Sequence, residues 1–399
     1  MAPPETDPLE THTIQSPTTV AYGTGAAARL ADFVTEGDFD STLIVTDPTL
    51  VETGAIDPVL DVLEPLAVEV EVMAVVTGEP KLSTPEIVAD RLRAAGHDTV
   101  IGIGGGSCLD TAKLAGVLAR HDQPIREMIG MGNVPGPGLP TALSATTAGS
   151  GSEVTHIGVF TDEEADGAKV VIYDAALFAD LSIVDPELTR TLPPHVAAAT
   201  GLDALTHAVE AYTTLVRTPY TDMLARRAIE LIGEYLRPAV HQGPDNDAAR
   251  AGMHYAAMLA GQAFVNSGLG AVHALTYPLG IEYDLGHGEA NARLLPHVMA
   301  FNRPAERERF AAIASLLGPP DDGSIDDRSR AAVEAVISLS EEVGISPEIG
   351  TLGDLGDEEF ARFADVAFEY SSHNVERNPR TMSQADAIDI YRAAAADED

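Results

Sequence analysis

The chain has 399 residues, 45% of them hydrophobic and 22% charged, enough to bury a substantial core and long enough to favour two domains. Acidic residues outnumber basic ones 62 to 24, and the resulting net charge of −38 repels nucleic acid and anionic lipid, arguing against either as a partner. The single cysteine, Cys108, excludes a disulfide framework and a thiolate zinc site.

With no leader-like start and no run of about 18 apolar residues, a soluble cytoplasmic protein is expected. Only three lysines occur, Lys81, Lys113 and Lys169, against 21 arginines. Acid excess with lysine scarcity is the pattern of a protein adapted to high salt, where strong screening tolerates such charge. A lysine kept against that bias is a candidate for function.

In chain order, residues 1–12 read as a loose polar tail and Ser41–Thr46 as a short β-branched strand closed by Asp47 and Pro48. Residues 67–76 form a second predicted strand, ended by Gly78-Glu79-Pro80, and 85–95 a helix. The buried strand predicted at 98–103 runs straight into Gly104-Gly105-Gly106-Ser107, with a helix following at 110–119. Another strand, 139–145, leads into the small-residue turn 146–152. This alternation predicts a parallel sheet covered by helices. Strand signals fade after Asp185-Pro186, and Pro193-Pro194 suits the first turn of a helix that continues through 198–212. The expected organisation is an α/β domain with a Rossmann-like sheet over 1–193 and an all-α domain over 194–399. Connectors are predicted at 237–247 and 318–327.

Two turns suit a phosphate. Glycines at the end of a strand let backbone approach a ligand, while first-turn amides and the helix dipole favour an anion. The spacing Gly102-x-Gly104-x-x-Ser107 is a loose relative of the dinucleotide fingerprint, though an ordinary strand-to-helix turn explains the glycines as well. Lys113 is expected to face that loop from the helix. Asp47, closing an earlier strand, suits a ribose hydroxyl and disfavours a 2′-phosphate, which prefers NAD over NADP.

The second half carries a different chemistry. Asp203 and His207 stand four residues apart in the predicted helix and therefore share a face. His273 and His287 fall in a later glycine-punctuated run. Three imidazoles and a carboxylate suit Fe(II), Zn(II) or a similar divalent ion, and a set without thiolate points to a catalytic rather than a structural metal. Glu210, seven residues after Asp203, reads either as a partner of a metal-bound histidine or as a solvated acid.

Taken together, GIGGGSCLDTAK (102–113), TTAGSGSEVT (146–155), TGLDALTHAVEAY (200–212), GLGAVHALTYPLG (268–280), HGEANARLLPHVMAFN (287–302) and NPR (378–380) resemble the iron-containing (group III) alcohol dehydrogenases over nearly the whole chain. The resemblance implies a dehydroquinate-synthase-like fold. It implies one divalent metal, Fe(II) or Zn(II), on Asp203, His207, His273 and His287, in a cleft between the two domains. It places the pyrophosphate of NAD on Gly104, Gly105, Gly106 and Ser107, with Asp110 and Lys113 beside it. Thr146, Thr147, Ser150 and Lys169 then line the dinucleotide, and Asp47 takes the adenosine ribose. A small alcohol or aldehyde substrate and a homo-oligomer, dimer or larger, are implied as well.

Two positions depart from the family pattern. Many relatives carry a second histidine four residues after the third metal ligand, a proton relay, where this chain has Tyr277. A phenol, with an ordinary pKa near 10, is a poor base at neutral pH; orienting substrate, relaying a proton and filling space all remain open to it. Relatives often read Pro-Asn-Pro where this chain reads Pro80-Lys81-Leu82. The competing assignments are a sugar-phosphate enzyme of the same fold, a maleylacetate-reductase-like enzyme, and a non-catalytic relative that binds dinucleotide or metal. The first needs several basic residues to hold the substrate phosphate, and the helical part has no lysine.

Overall fold

The computed structural model describes residues 11–165, 167–283, 285–318, 323–352 and 355–395. The tail expected at 1–12 lies almost wholly outside them, as does part of the connector expected at 318–327. The described residues divide into two compact units, Gln15–Leu192 and the part from Pro193 onward together with residues 11–14.

Among its described residues the first unit holds nine strands: β1 (Thr19–Tyr22), β2 (Ser41–Thr46), β3 (Glu69–Ala74), β4 (Thr99–Gly104), β5 (Gly130–Met131), β6 (Thr141–Ala145), β7 (Ile157–Asp162), β8 (Ala168–Tyr173) and β9 (Leu181–Val184). Six of them form one parallel sheet in the order β1-β9-β6-β4-β2-β3. Successive side chains on a strand point to opposite faces, and both faces of this sheet are covered. Ile44, Ile101, Ile103 and Ile183 pack on one side with Leu30, Val34, Val59 and Leu63 of two helices. Leu43, Val45, Val100 and Leu143 pack on the other with Val88, Leu92, Leu109 and Ala112. Burial on both faces is why β2 and β4 show no apolar–polar alternation and carry no charged residue. The α/β expectation is met.

A second, three-stranded sheet, β5-β8-β7, was not foreseen. Its β7–β8 hairpin is antiparallel, and the acidic stretch that joins the two strands hides their alternation in the sequence. The helix predicted at 110–119 starts earlier, at Gly106, because the glycine turn itself forms the first helical turn.

The second unit contains helices and no strand among its described residues, as expected. Helix Pro194–Thr213 begins on Pro194 with Pro193 at its N-cap, where a missing N–H costs nothing. It packs against Pro219–Gln242, Asp247–Ser267 and His287–Asn302. The connector predicted at 237–247 is a correction: helix Pro219–Gln242 runs through Pro238 and breaks only at Gly243–Asp245. Proline removes one helical hydrogen bond, but the buried Leu236, Ala239 and Val240 hold the turn in place. No described helix is long and apolar enough to cross a membrane.

Candidate metal centre and glycine turns

Within the helical unit, helix Pro194–Thr213 presents Asp203 and His207, both buried, on one face. His207 Nε2 lies 3.9 Å from Asp203 Oδ1. Helix Ala271–Tyr283 brings in His273 on its first turn, and His287 is the first residue of helix His287–Asn302. Ligand atoms of Asp203, His273 and His287 all lie within 4.8 Å of one another. The ring of His207 stacks between His273 (centroids 4.9 Å apart) and Phe264 (4.5 Å). Gly288 makes this closure possible: a Cβ there would stand 2.8 Å from the carbonyl oxygen of Ala199. Three of the four sequence-predicted ligands, Asp203, His273 and His287, therefore gather their ligand atoms, and His207 stands beside them with its ring on that of His273.

The resident groups suit a cation. Burial pushes the Asp203 carboxyl up, but His207, His287, His273 and the Asn291 amide outweigh it and hold it below the ordinary carboxylate range. Burial, reinforced by His273 and His287, drives the His207 ring down to about 4 against the pull of Asp203 and Glu210. Ionised carboxylate and neutral imidazole are the forms that bind a divalent metal. His207 Nδ1 is buried without a hydrogen-bond partner. Glu210 is buried and is not a solvated acid: its Oε2 lies 2.6 Å from His273 Nδ1, and its Oε1 accepts from Val272 N at 2.6 Å. The sequence did not single out Asn291 or Phe264, since neither residue type signals a metal site.

Tyr277 follows His273 by one helical turn and stacks on Tyr370, with rings 5.8 Å apart and 8° from parallel.

In the α/β unit, β4 runs into helix Gly106–Arg120 through Gly104, whose φ of +152° and closeness to Cys108 exclude a side chain. The helix has no side-chain cap and no acid in its first turn, leaving its amides for an anion. Thr147 and Ser150 lie over Gly105 and Gly106, so the two predicted turns face each other, and Thr146 N is tied to Gly104 O at 2.9 Å. Ser107 sits half-buried at the start of the helix. Asp47 caps helix Pro48–Glu52 by accepting from Thr49 N at 2.6 Å, so one of its oxygens is engaged locally.

Lys113, expected to face the loop, is turned into the protein instead. Its ammonium donates to Ser152 Oγ (2.7 Å), Ile157 O (2.9 Å), Asp110 Oδ1 (3.1 Å) and Thr155 Oγ1 (3.4 Å). Asp110 accepts in addition from Ser152 Oγ and from Val159 N. A fully buried ammonium needs such company, so this pair braces the second turn against the helix. Lys169, on β8, pairs with Glu79 and donates to Thr161 Oγ1 at 2.8 Å; burial lowers it to about 8. Thr161 N also bonds Pro80 O, which ties the unusual Pro80-Lys81-Leu82 segment alongside Lys169.

Residues 17–186 match the family described as Iron-containing alcohol dehydrogenase, and residues 197–395 match the Fe-containing alcohol dehydrogenase family, C-terminal. The chain is 40% identical over 378 residues to long-chain-alcohol dehydrogenase 1 of Geobacillus thermodenitrificans, covering 94% of each. Among solved structures it is similar to a 1,3-propanediol oxidoreductase, with a TM-score of 0.92 and 36% identity over 96% of this chain and all of that one. It is also similar to sulfoacetaldehyde reductase from Bifidobacterium kashiwanohense in complex with NAD+, with a TM-score of 0.87 and 28% identity over 97% and 99% of the two chains. The chain belongs to the iron-containing alcohol dehydrogenase family and is a metal-dependent, nicotinamide-linked oxidoreductase that interconverts alcohols with their aldehydes or ketones.

Proposed function

We propose that this enzyme acts on small alcohols with NAD, rather than NADP, and with one divalent cation, Fe(II) or Zn(II), held by Asp203, His207, His273 and His287. The observation that supports this reading is the gathering of Asp203, His273 and His287, with His207 3.9 Å from Asp203 and Glu210 braced behind His273. When bound, the cation supplies Lewis-acid polarisation of the substrate oxygen, and NAD accepts the hydride.

The protein's own work is positioning. Glu210 keeps a proton on His273 Nδ1 and leaves Nε2 as the ligand atom. In the α/β part, taken as residues 1–193, the turn Gly104, Gly105, Gly106 and Ser107 cradles the pyrophosphate, with Thr146, Thr147, Ser150 and Lys169 along the dinucleotide. Asp110 and Lys113 act on it from behind, by holding the second turn in place. The free oxygen of Asp47 takes a ribose hydroxyl and repels a 2′-phosphate. The helical part, residues 194–399, holds the metal. Tyr277, fixed by Tyr370, orients the substrate rather than serving as its base.

The acid-rich composition supports a working environment of high salt. The same reading makes the enzyme cytoplasmic and a homo-oligomer, dimer or larger. Its lone cysteine, buried and free, fits a reducing compartment.

Protein purified without oxygen in strong brine should contain one Fe or Zn per chain by elemental analysis. It should oxidise small primary alcohols and diols with NAD, lose activity on chelation and recover it with Fe(II) or Zn(II). Turnover that survives both chelation and His273→Ala would overturn the proposal.

A further inference from the structure

Asn378-Pro379-Arg380, one of the stretches that carry the family resemblance, supplies no metal ligand, yet it meets an end of each helix that does. Thr214 closes the helix of Asp203 and His207. Leu215 N and Thr214 Oγ1 donate at 2.9 and 3.1 Å to the carbonyl oxygen of Arg377, the residue just before the run. Phe301 and Asn302 end the helix of His287. Arg380 Nη1 donates to Phe301 O at 2.8 Å, and its guanidinium lies 4.0 Å from the centre of the Phe301 ring. Ala271 opens the helix of His273, and its N–H donates to Asn378 Oδ1 in a longer bond of 3.4 Å.

Asn378 is the centre of this junction and is buried. It exchanges hydrogen bonds with Asn302, Nδ2 to Oδ1 in both directions at 2.7 and 2.8 Å, and gives its second amide hydrogen to Arg380 O at 2.7 Å. Both hydrogens and both lone pairs of the carboxamide are thereby used, which fixes its orientation. Its neighbour across Gly270 is Glu210: a Cβ on Gly270 would stand 3.0 Å from Glu210 Oε1 and 3.5 Å from Asn378 Oδ1. The consecutive amides of Ala271 and Val272 are thus taken by Asn378 and Glu210. Hydrogen bonds rather than close packing hold this helix start, since Glu210, Gly270, Val272, Asn302, Asn378 and Pro379 line a small cavity there. His273 is the next residue along, so play at Ala271 reaches its ring directly.

We propose that Asn378 is a positioning residue of the metal centre. By tying the first residue of the His273 helix to the last residue of the His287 helix, it fixes where His273 stands relative to the other ligands. A site assembled beforehand binds its cation more tightly, because less ordering is left to the moment of binding. The hydrogen bonds of Asn378 go to Asn302, Arg380 and Ala271, so they spend no lone pair that would bind the cation. This rests on the four-ligand reading above.

The test uses Co(II), whose visible absorption reports ligand geometry, titrated in brine into metal-stripped full-length protein against a competing chelator. Wild type is compared with Asn378→Ala, with Asn302→Leu/Asn378→Leu, with Ile313→Ala and with Asp203→Ala. The double leucine variant replaces both amides by apolar groups of similar shape, which covers the case in which Asn378→Ala fails to fold. Ile313→Ala opens a cavity in helix Arg307–Leu317, which carries no ligand, and so reports what lost stability alone does. The expected result is one Co(II) per chain in both Asn378 variants, bound about 10-fold more weakly and with a shifted spectrum, the lower end for lost outer-shell partners. Ile313→Ala should keep wild-type affinity and spectrum. Wild-type binding in a folded Asn378 variant, or an equal loss in Ile313→Ala, would overturn the positioning role and leave the metal reading standing. A wild-type chain that takes up no Co(II), or an Asp203→Ala chain that binds as tightly as wild type, would instead overturn the metal reading itself, and this proposal with it.

Discussion

Glu210 Oε2 and His273 Nδ1 lie 2.6 Å apart, both buried, so a carboxylate stands directly behind one imidazole of the candidate metal centre. The second oxygen of Glu210 takes the Val272 amide at the start of the same helix. One side chain thus fixes both the tautomer of His273 and the helix end that carries it.

Replacing that side chain separates its two tasks. Glu210→Gln keeps the shape and an acceptor for Val272 N but loses the charge behind the ring; metal affinity should fall about 10- to 100-fold with little change in stability. Glu210→Ala strands a buried amide as well, and should add about 1–3 kcal/mol of destabilisation in chemical denaturation. Equal metal affinity in wild type and Glu210→Gln would refute the coupling.

Lys113 offers a contrast between bracing and direct contact. Its side chain is fully buried against a largely buried Asp110, so Lys113→Met leaves a carboxylate without its counter-charge. The cost should be about 3–5 kcal/mol in folding stability, with a raised KM for NAD as the second turn loosens. A lysine that contacted phosphate directly would show the KM effect with stability intact.

Asp47 can be tested without disturbing its helix. Asparagine caps as well as aspartate, so Asp47→Asn should keep the bond to Thr49 N and the fold. Loss of the negative charge should raise kcat/KM for NADP relative to NAD. An unchanged ratio would remove Asp47 from the cofactor site and leave it as a cap alone.

Glu153, in the second turn, should give a pH signature. Burial pushes its carboxyl from 4.5 up to about 7, against the opposing pull of its own backbone hydrogen bond and of Lys113. Between those values the folded chain holds a proton that the unfolded chain has released. Its contribution is therefore complete below the ordinary carboxylate range and lost as pH rises to about 7, a fall of about 3 kcal/mol. Denaturation in brine at pH 5 and at pH 8 should show the decline, and Glu153→Gln should flatten it. A variant with the wild-type slope would trace the decline to another group.

Much of this was legible in the residues because the signals are local. Short β-branched runs such as Ser41–Thr46 signal a strand, and Pro193-Pro194 marks a helix start by removing donors the helix does not need there. Asp203 and His207 sit four apart, so helical geometry alone puts them on one face. The β7–β8 hairpin escaped notice because its acidic turn masks a two-residue alternation. Pro238 was read as a break because proline is a local signal, while the buried neighbours that keep its helix intact are not adjacent in sequence.

What the chain by itself determined is which residue types are available for the chemistry: three imidazoles, a carboxylate, two small-residue turns and three rationed lysines. Only the tertiary structure decided where they point. It turned Lys113 inward and chose between two roles for Glu210. It also set Asn291 against three ligand atoms supplied by three different helices. The physical reason is that a hydrogen bond is settled within about 3 Å and a narrow angle, and residues 60 to 90 positions apart reach that range only through the packing of whole helices.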